Sequence, residues 1–268
     1  KGLIDKLGVN THVYRVGTYK SFVEPFIRAD QSPEAKQANQ ALADALWQNW
    51  RDDVAKARPK AKIAAYAADP VAAARAANGN MAQAALSAGL IDKLGDATAF
   101  GTRVAEIAGD ASDAKAGGFA TIDLAAYVKA RMPANDGQIG VLTIAGDIVD
   151  GEAGPGTAAG DTISDLLLTA LNEKDLKALV VRVDSPGGSV MASEKIRSAI
   201  LQAKADGLPV IVSMGNVAAS GGYWVSTPAD MIFAEPDTIT GSIGVFGILP
   251  SFEGSLARIG VTTDGVAT

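Results

Sequence analysis

The sequence predicts an α/β fold, and three stretches carry that prediction. Lys177–Val183 (KALVVRV) and Leu208–Met214 (LPVIVSM) are near-continuous apolar runs, as expected of parallel strands buried on both faces. Between them, Ser189–Gly207 (SVMASEKIRSAILQAKADG) has helix length, with Val190, Ile196, Ile200 and Leu201 roughly on one face. Strand, helix, strand in this order calls for right-handed βα crossovers.

The remaining elements follow in chain order. Thr11–Val16 (THVYRV) alternates and reads as a strand with His12 on its solvent side. Ser32 to Trp50 has apolar residues at helical spacing, with Ser32 or Asp30 as cap and Pro33 in the first turn. Lys60–Ala77 is Ala-rich and helical; Pro70 divides it and starts a new helix capped by Asp69. Asn78-Gly79-Asn80 is a turn, and Ala82–Leu90 a further helix closed by Gly89 or Gly95. Ala108–Gly118 has linker composition, which puts a domain boundary between about Gly109 and Gly137. Ile139–Gly146 reads as a strand, Gly151–Asp161 (GEAGPGTAAGD) as a mobile loop, Thr162–Glu173 as a helix and Met231–Glu235 as a short strand. GLIDKLG occurs at Gly2–Gly8 and again at Gly89–Gly95. LGVNTHV from Leu7 matches IGVTTDGV from Ile259; aligning Gly8 with Gly260 gives an offset of 252 residues, the mark of two large homologous units in tandem.

Composition narrows the function. The 268 residues are 48% hydrophobic, enough for a substantial core. A net charge of −6 without a basic stripe argues against nucleic acid. There are no cysteines, which excludes disulfides, thiol catalysis and Cys-type zinc sites. With His12 the only histidine, a His-rich metal site within one chain is impossible, and no metal or cofactor is expected. No run of 18 apolar residues spans a membrane. The start, KGLIDKLG, lacks the apolar centre of a signal peptide and an initiating methionine, so the chain is expected to be a fragment or processed product.

Three short constellations carry chemistry. In Val183–Val190 (VDSPGGSV) a buried strand ends, Pro186 and two glycines turn the chain, and a helix starts near Ser189. The Gly187 and Gly188 N–H groups are expected to lie free at that helix N-terminus, suited to a phosphate, a carboxylate or an oxyanion; a tight βα turn accounts for the same residues. In Met214–Trp224 (MGNVAASGGYW), Ser220 follows a buried strand and precedes a short helix, Gly221–Val225. It is either a packing residue or a nucleophile. Paired with the glycine turn it makes an acyl-transfer site, with the Gly221 N–H as second oxyanion donor. A nucleophilic serine needs a base, and a solvent-facing His12 is a poor one. A lysine serves only when neutral; at the ordinary pKa of about 10.4, roughly one in a few thousand is neutral at pH 7. Burial must lower that value. Val16–Phe26 (VGTYKSFVEPF) offers Lys20 beside Val23, Pro25 and Phe26, with a solvated lysine as the alternative.

The segments YRVGTYKSFVEPF, VVRVDSPGGSV, GNVAASGGYW and TITGSIGVFG, in this order, resemble the long, tandem-domain form of the signal peptide peptidase A (protease IV) family. The resemblance implies a Clp-protease/crotonase-like ββα superhelix in tandem repeat. Residues 1–125 would be the end of the first repeat, mainly helical, carrying the lysine base; residues 126–268 would be most of the second, α/β, carrying the nucleophile and oxyanion hole. It implies Ser220 as nucleophile, Lys20 as general base, Gly187 and Gly221 as oxyanion donors and Ser242 as the hydroxyl that orients the lysine. The second repeat's equivalent of Lys20 would fall near 272, beyond Thr268. The implied activity is a Ser-Lys endopeptidase that degrades cleaved signal peptides and other unfolded hydrophobic peptides at the bacterial inner membrane, facing the periplasm. The implied assembly is a bowl-shaped tetramer, held by an N-terminal anchor upstream of Lys1. An apolar groove lined by Val217, Tyr223, Val245 and Phe246 is expected. The competing readings are a non-catalytic scaffold on the same fold, a crotonase-type acyl-CoA enzyme, for which Asp184 reads instead as a structural strand-end residue, and a phage capsid-maturation protease.

Overall fold

The computed structural model describes residues 1–111, 115–132, 137–262 and 264–266. The chain runs α1 (Gly2–Leu7), β1 (Asn10–Val16), a 3-10 turn (Ser21–Val23), α2 (Glu24–Ile27) and α3 (Pro33–Ala57). Short helices follow: α4 (Ile63–Ala68), α5 (Pro70–Ala76), α6 (Met81–Ser87), α7 (Ala97–Ala108) and α8 (Leu124–Arg131). Then come β2 (Ile139–Ala145), β3 (Ile148–Val149), β4 (Ala158–Ala159), α9 (Gly160–Glu173), β5 (Ala178–Ser185), α10 (Val190–Ala205) and β6 (Val210–Ala219). The chain closes with α11 (Gly221–Ser226), β7 (Met231–Phe233), β8 (Ile239–Gly241), β9 (Val245–Ser251) and α12 (Glu253–Arg258). Contacts group these elements into two units, Lys1–Leu46 with Gly137–Thr268, and Trp47–Asp136.

The first unit is α/β. Its main sheet has the order β2-β5-β6-β7, parallel throughout, with β8 pairing β6 further along. Val181, Val183, Val210 and Val212 are fully buried in β5 and β6. Ile196 and Ile200 of α10 and Leu167 of α9 close the same core, each such side chain contributing about 1.5–3 kcal/mol on burial. This is the α/β architecture with a parallel sheet that the apolar runs predict. A separate antiparallel ribbon pairs β1 with β9, joining the two ends of the sequence from Asn10↔Ser251 to Val16↔Val245.

Two expectations in this unit need correction. The buried face of α10 is Ala192, Ile196, Ala199, Ile200 and Ala203, while Val190 and Leu201 are exposed. The helix approaches α9 so closely that a methyl on Gly160 would lie 2.9 Å from the Ala192 side chain; small residues, not the largest apolar ones, mark that face. The segment 151–161 is also not wholly a loop. Ala158 and Ala159 are buried and pair with Ile148 and Val149, and Gly160 already begins α9.

The second unit is helical. Its helix starts follow capping chemistry: Asp69 accepts from the Ala72 N–H at 2.8 Å, Asn80 from Gln83 at 3.0 Å, Asp96 from Ala99 at 2.8 Å and Asp123 from Ala126 at 3.0 Å. Pro70 starts α5 as its sequence position predicts. In the stretch read as linker, Asp110 bridges Phe119; residues 112–114 there, and 133–136 of the expected boundary region, lie outside the described residues.

Candidate active site

The site is built at the end of β6. That strand pairs with β7 at Ile211–Ser213 and with β8 at Val217–Ala219. Ser220 comes next, with φ 52° and ψ −116°, a conformation sparsely populated by L-residues. Its N–H donates to the Gly241 carbonyl at 2.7 Å, and its own carbonyl accepts from the Trp224 N–H at 2.9 Å, opening α11. Gly222 is obligatory here: a methyl would fall 2.4 Å from the Ser185 carbonyl oxygen. From the first turn of α11, Trp224 Nε1 donates to Glu194 Oε2 at 2.8 Å, and the Arg197 guanidinium lies over the Trp224 ring. Hydrogen bonds from Arg197, then from Trp224, hold the Glu194 carboxyl at about 2.

Lys20 arrives on a different element. It follows β1 and is buried at the entry to the 3-10 turn. Its Nζ donates to Ser220 Oγ at 3.1 Å, to the Ser242 carbonyl at 2.8 Å and to Ser242 Oγ at 3.3 Å. Burial pushes the Lys20 pKa below the ordinary lysine value. Ser242 has a φ of 50°, and its carbonyl and hydroxyl both meet Lys20 Nζ. The fold thus brings Lys20, Ser220 and Ser242 together across 200 and 222 residues.

Supporting residues around Lys20 escaped the sequence reading. Arg15 Nη1 donates to the Lys20 carbonyl at 3.3 Å and lies 3.7 Å from Glu24 Oε1. Glu24 is buried and accepts the Ser32 N–H at 3.0 Å. Hydrogen bonds from Ser32 first, then the charges of Arg28 and Arg15, hold its carboxyl below the usual range. The signal was present as an acidic residue inside the apolar run FVEPF.

The glycine turn adjoins the serine. A methyl on Gly187 would lie 2.5 Å from the Gly221 nitrogen and 2.9 Å from Ser220 Cβ. Its amide is not free, however: the Gly187 N–H donates to Ser185 Oγ at 3.1 Å, and that hydroxyl donates to the Gly146 carbonyl at 2.6 Å. Nor do Gly187 and Gly188 belong to the first turn of α10, since Ser189 is its cap. Gly221, at the first position of α11, has an N–H with no intrahelical acceptor. His12 sits exposed on β1. The Asp184 carboxylate accepts the Val217 N–H at 3.1 Å, inside the sheet. Tyr223, Val245 and Phe246 present exposed apolar surface on the elements that carry the site, with Phe246 stacked on Phe22 at 4.8 Å. Among the described residues there is no cluster of metal-ligating side chains, and no helix long and apolar enough to cross a membrane.

A buried lysine on a strained serine at a strand end defines a serine–lysine pair on an α/β sheet. The model of peptidase family S49 matches residues 1–110 and 202–268, which include Lys20, Ser220 and Ser242. The chain belongs to peptidase family S49. It is 43% identical over 273 residues to Protease 4 of Salmonella typhi, and 41% identical over 272 residues to Protease 4 of Haemophilus influenzae. Both alignments take in the whole of this chain, which spans only 43% and 44% of those relatives. Among solved structures, ClpP1 from Listeria monocytogenes aligns with 33% of this chain and 46% of its own, at 22% identity and a TM-score of 0.27.

Proposed function

We propose that this chain carries the catalytic centre of a serine endopeptidase working through a Ser220–Lys20 dyad. The observation that carries the reading is the 3.1 Å contact between Lys20 Nζ and Ser220 Oγ, made by a buried lysine. A neutral amine has two N–H bonds and one lone pair. In that form the two N–H bonds go to the two oxygens of Ser242, and the 3.1 Å contact reverses, with the Ser220 hydroxyl donating to the lone pair. As Ser220 Oγ attacks the scissile carbonyl, Lys20 accepts its proton. The amide of Gly221 stabilises the oxyanion, joined by that of Gly187 once it exchanges Ser185 Oγ for the stronger acceptor. Lys20 then protonates the leaving amine and, in the second half-reaction, deprotonates the hydrolytic water, a Ser-Lys variant of triad logic.

Membership of family S49 supports the wider reading. The substrates are cleaved signal peptides and other unfolded hydrophobic peptides, received on the apolar surface of Val217, Tyr223, Val245 and Phe246. The intact protein is a tandem repeat, anchored N-terminally at the bacterial inner membrane with its site facing the periplasm, and assembles as a tetramer. The test is intact-mass labelling by a fluorophosphonate from pH 6 to 10. One adduct on Ser220, lost in Ser220→Ala and in Lys20→Ala, supports the dyad. No adduct on the full natural chain at any pH refutes it and leaves a scaffold.

A further inference from the structure

We propose that Asp184 is the positioning residue that sets where Ser220 stands, by holding open a bulge in β6. This rests on the peptidase reading above. The ladder between β5 and β6 is regular to Val183↔Met214 and resumes at Ser185↔Ala218. Asp184 alone therefore faces Gly215, Asn216 and Val217. Bulges re-aim the residues that follow them and recur beside active sites. Here the bulge also marks a change of partner: β6 pairs with β7 before it and with β8 after it. Only the second pairing brings Ala219 beside Gly241, and so Ser220 beside Ser242 and Lys20.

Three side chains pin the bulge. Arg182 Nη1 donates to the Met214 carbonyl at 3.0 Å, Thr238 Oγ1 donates to the Gly215 carbonyl at 2.9 Å, and Asp184 Oδ1 accepts the Val217 N–H at 3.1 Å. Asp184 fills the space itself: a methyl on Gly215 would lie 2.8 Å from its Cγ. Were the regular register continued, Ser220 would move along the sheet by two residues, roughly 6–7 Å. That displacement exceeds any hydrogen bond to Lys20.

The experiment measures the second-order rate of fluorophosphonate labelling per labelled molecule on the full natural chain, with amplitude as the competent fraction. Asp184→Ala is expected to slow the rate about 30-fold at full amplitude, as misplacement of a reacting group does. Asp184→Asn keeps an oxygen for the Val217 N–H and is expected to restore the rate to within about 3-fold of wild type. An Asp184→Ala rate equal to wild type, with only thermal stability lowered, overturns the proposal. If that variant does not fold, Thr238→Val decides: about 5-fold slower labelling supports the bulge as positioning device, and an unchanged rate overturns it. Absence of wild-type labelling would instead overturn the peptidase reading, and this inference with it.

Discussion

Ser220 and Lys20 meet at 3.1 Å but stand on opposite kinds of structure. Ser220 ends a strand whose Val210, Val212, Ala218 and Ala219 are buried in the main core. Lys20 follows β1, whose Tyr14 and Val16 are exposed, as is Leu249 on its partner β9. The serine is strained and held by the core; the lysine is carried by a thin ribbon and held mainly by what its Nζ touches. Strain at Ser220 persists because Gly241, Trp224 and the Glu194–Arg197 pair over-determine it. Lys20 has no comparable framework beyond Arg15, Glu24 and Ser242.

The largest effect should come from Lys20, the proposed base. Lys20→Arg keeps a charge and donors but cannot give up its proton. It is expected to slow Ser220 labelling about 10³- to 10⁴-fold, as far as Lys20→Ala does. A loss under tenfold would mean that Lys20 acts through charge alone. Next comes the asymmetry of support. Ile196→Ala should cost about 2–5 kcal/mol in denaturant unfolding, whereas Leu249→Ala on the ribbon should cost about 0.5 kcal/mol or less. Equal costs would abolish the distinction between the two platforms.

The pH dependence is a third test. Burial lowers the Lys20 pKa, so labelling should rise with pH through a midpoint below that of a free lysine. The unfolded chain then binds the Lys20 proton more readily than the folded one. Lys20 therefore weakens folding below its folded pKa, and stability recovers as pH climbs toward the unfolded value. Lys20→Met should accordingly gain stability over wild type at pH 7, with the gain shrinking by pH 10 in paired urea melts. The smallest effect is expected from Ser242→Ala. It removes the 3.3 Å contact but keeps the 2.8 Å carbonyl, so labelling should slow only about 2- to 5-fold.

The sequence showed the parallel strands because Val181, Val183, Val210 and Val212 are apolar for the same reason that they are buried. It showed Ser220 and Lys20 because unusual neighbours surround each. It did not show that β6 continues past Met214, since Gly215 and Asn216 look like a strand end and the bulge depends on Asp184 and Thr238 from other elements. It missed α7 and α8, which flank the stretch of linker composition and whose local signals are the caps Asp96 and Asp123. The state of the Gly187 amide was illegible because Ser185 Oγ, two residues back, is as plausible a turn residue as an acceptor.

The β1–β9 ribbon has a consequence for synthesis. Each residue of β1 from Asn10 to Val16 takes its partner from Val245–Ser251. During translation Lys20 emerges at least two hundred residues before the partners its Nζ meets in the fold. At about 5–20 residues per second that delay is roughly 10–50 s. The ribbon that carries Lys20 cannot close on a growing chain until Val245–Ser251 has left the ribosome, so until then a nascent chain holds Lys20 and Ser220 apart.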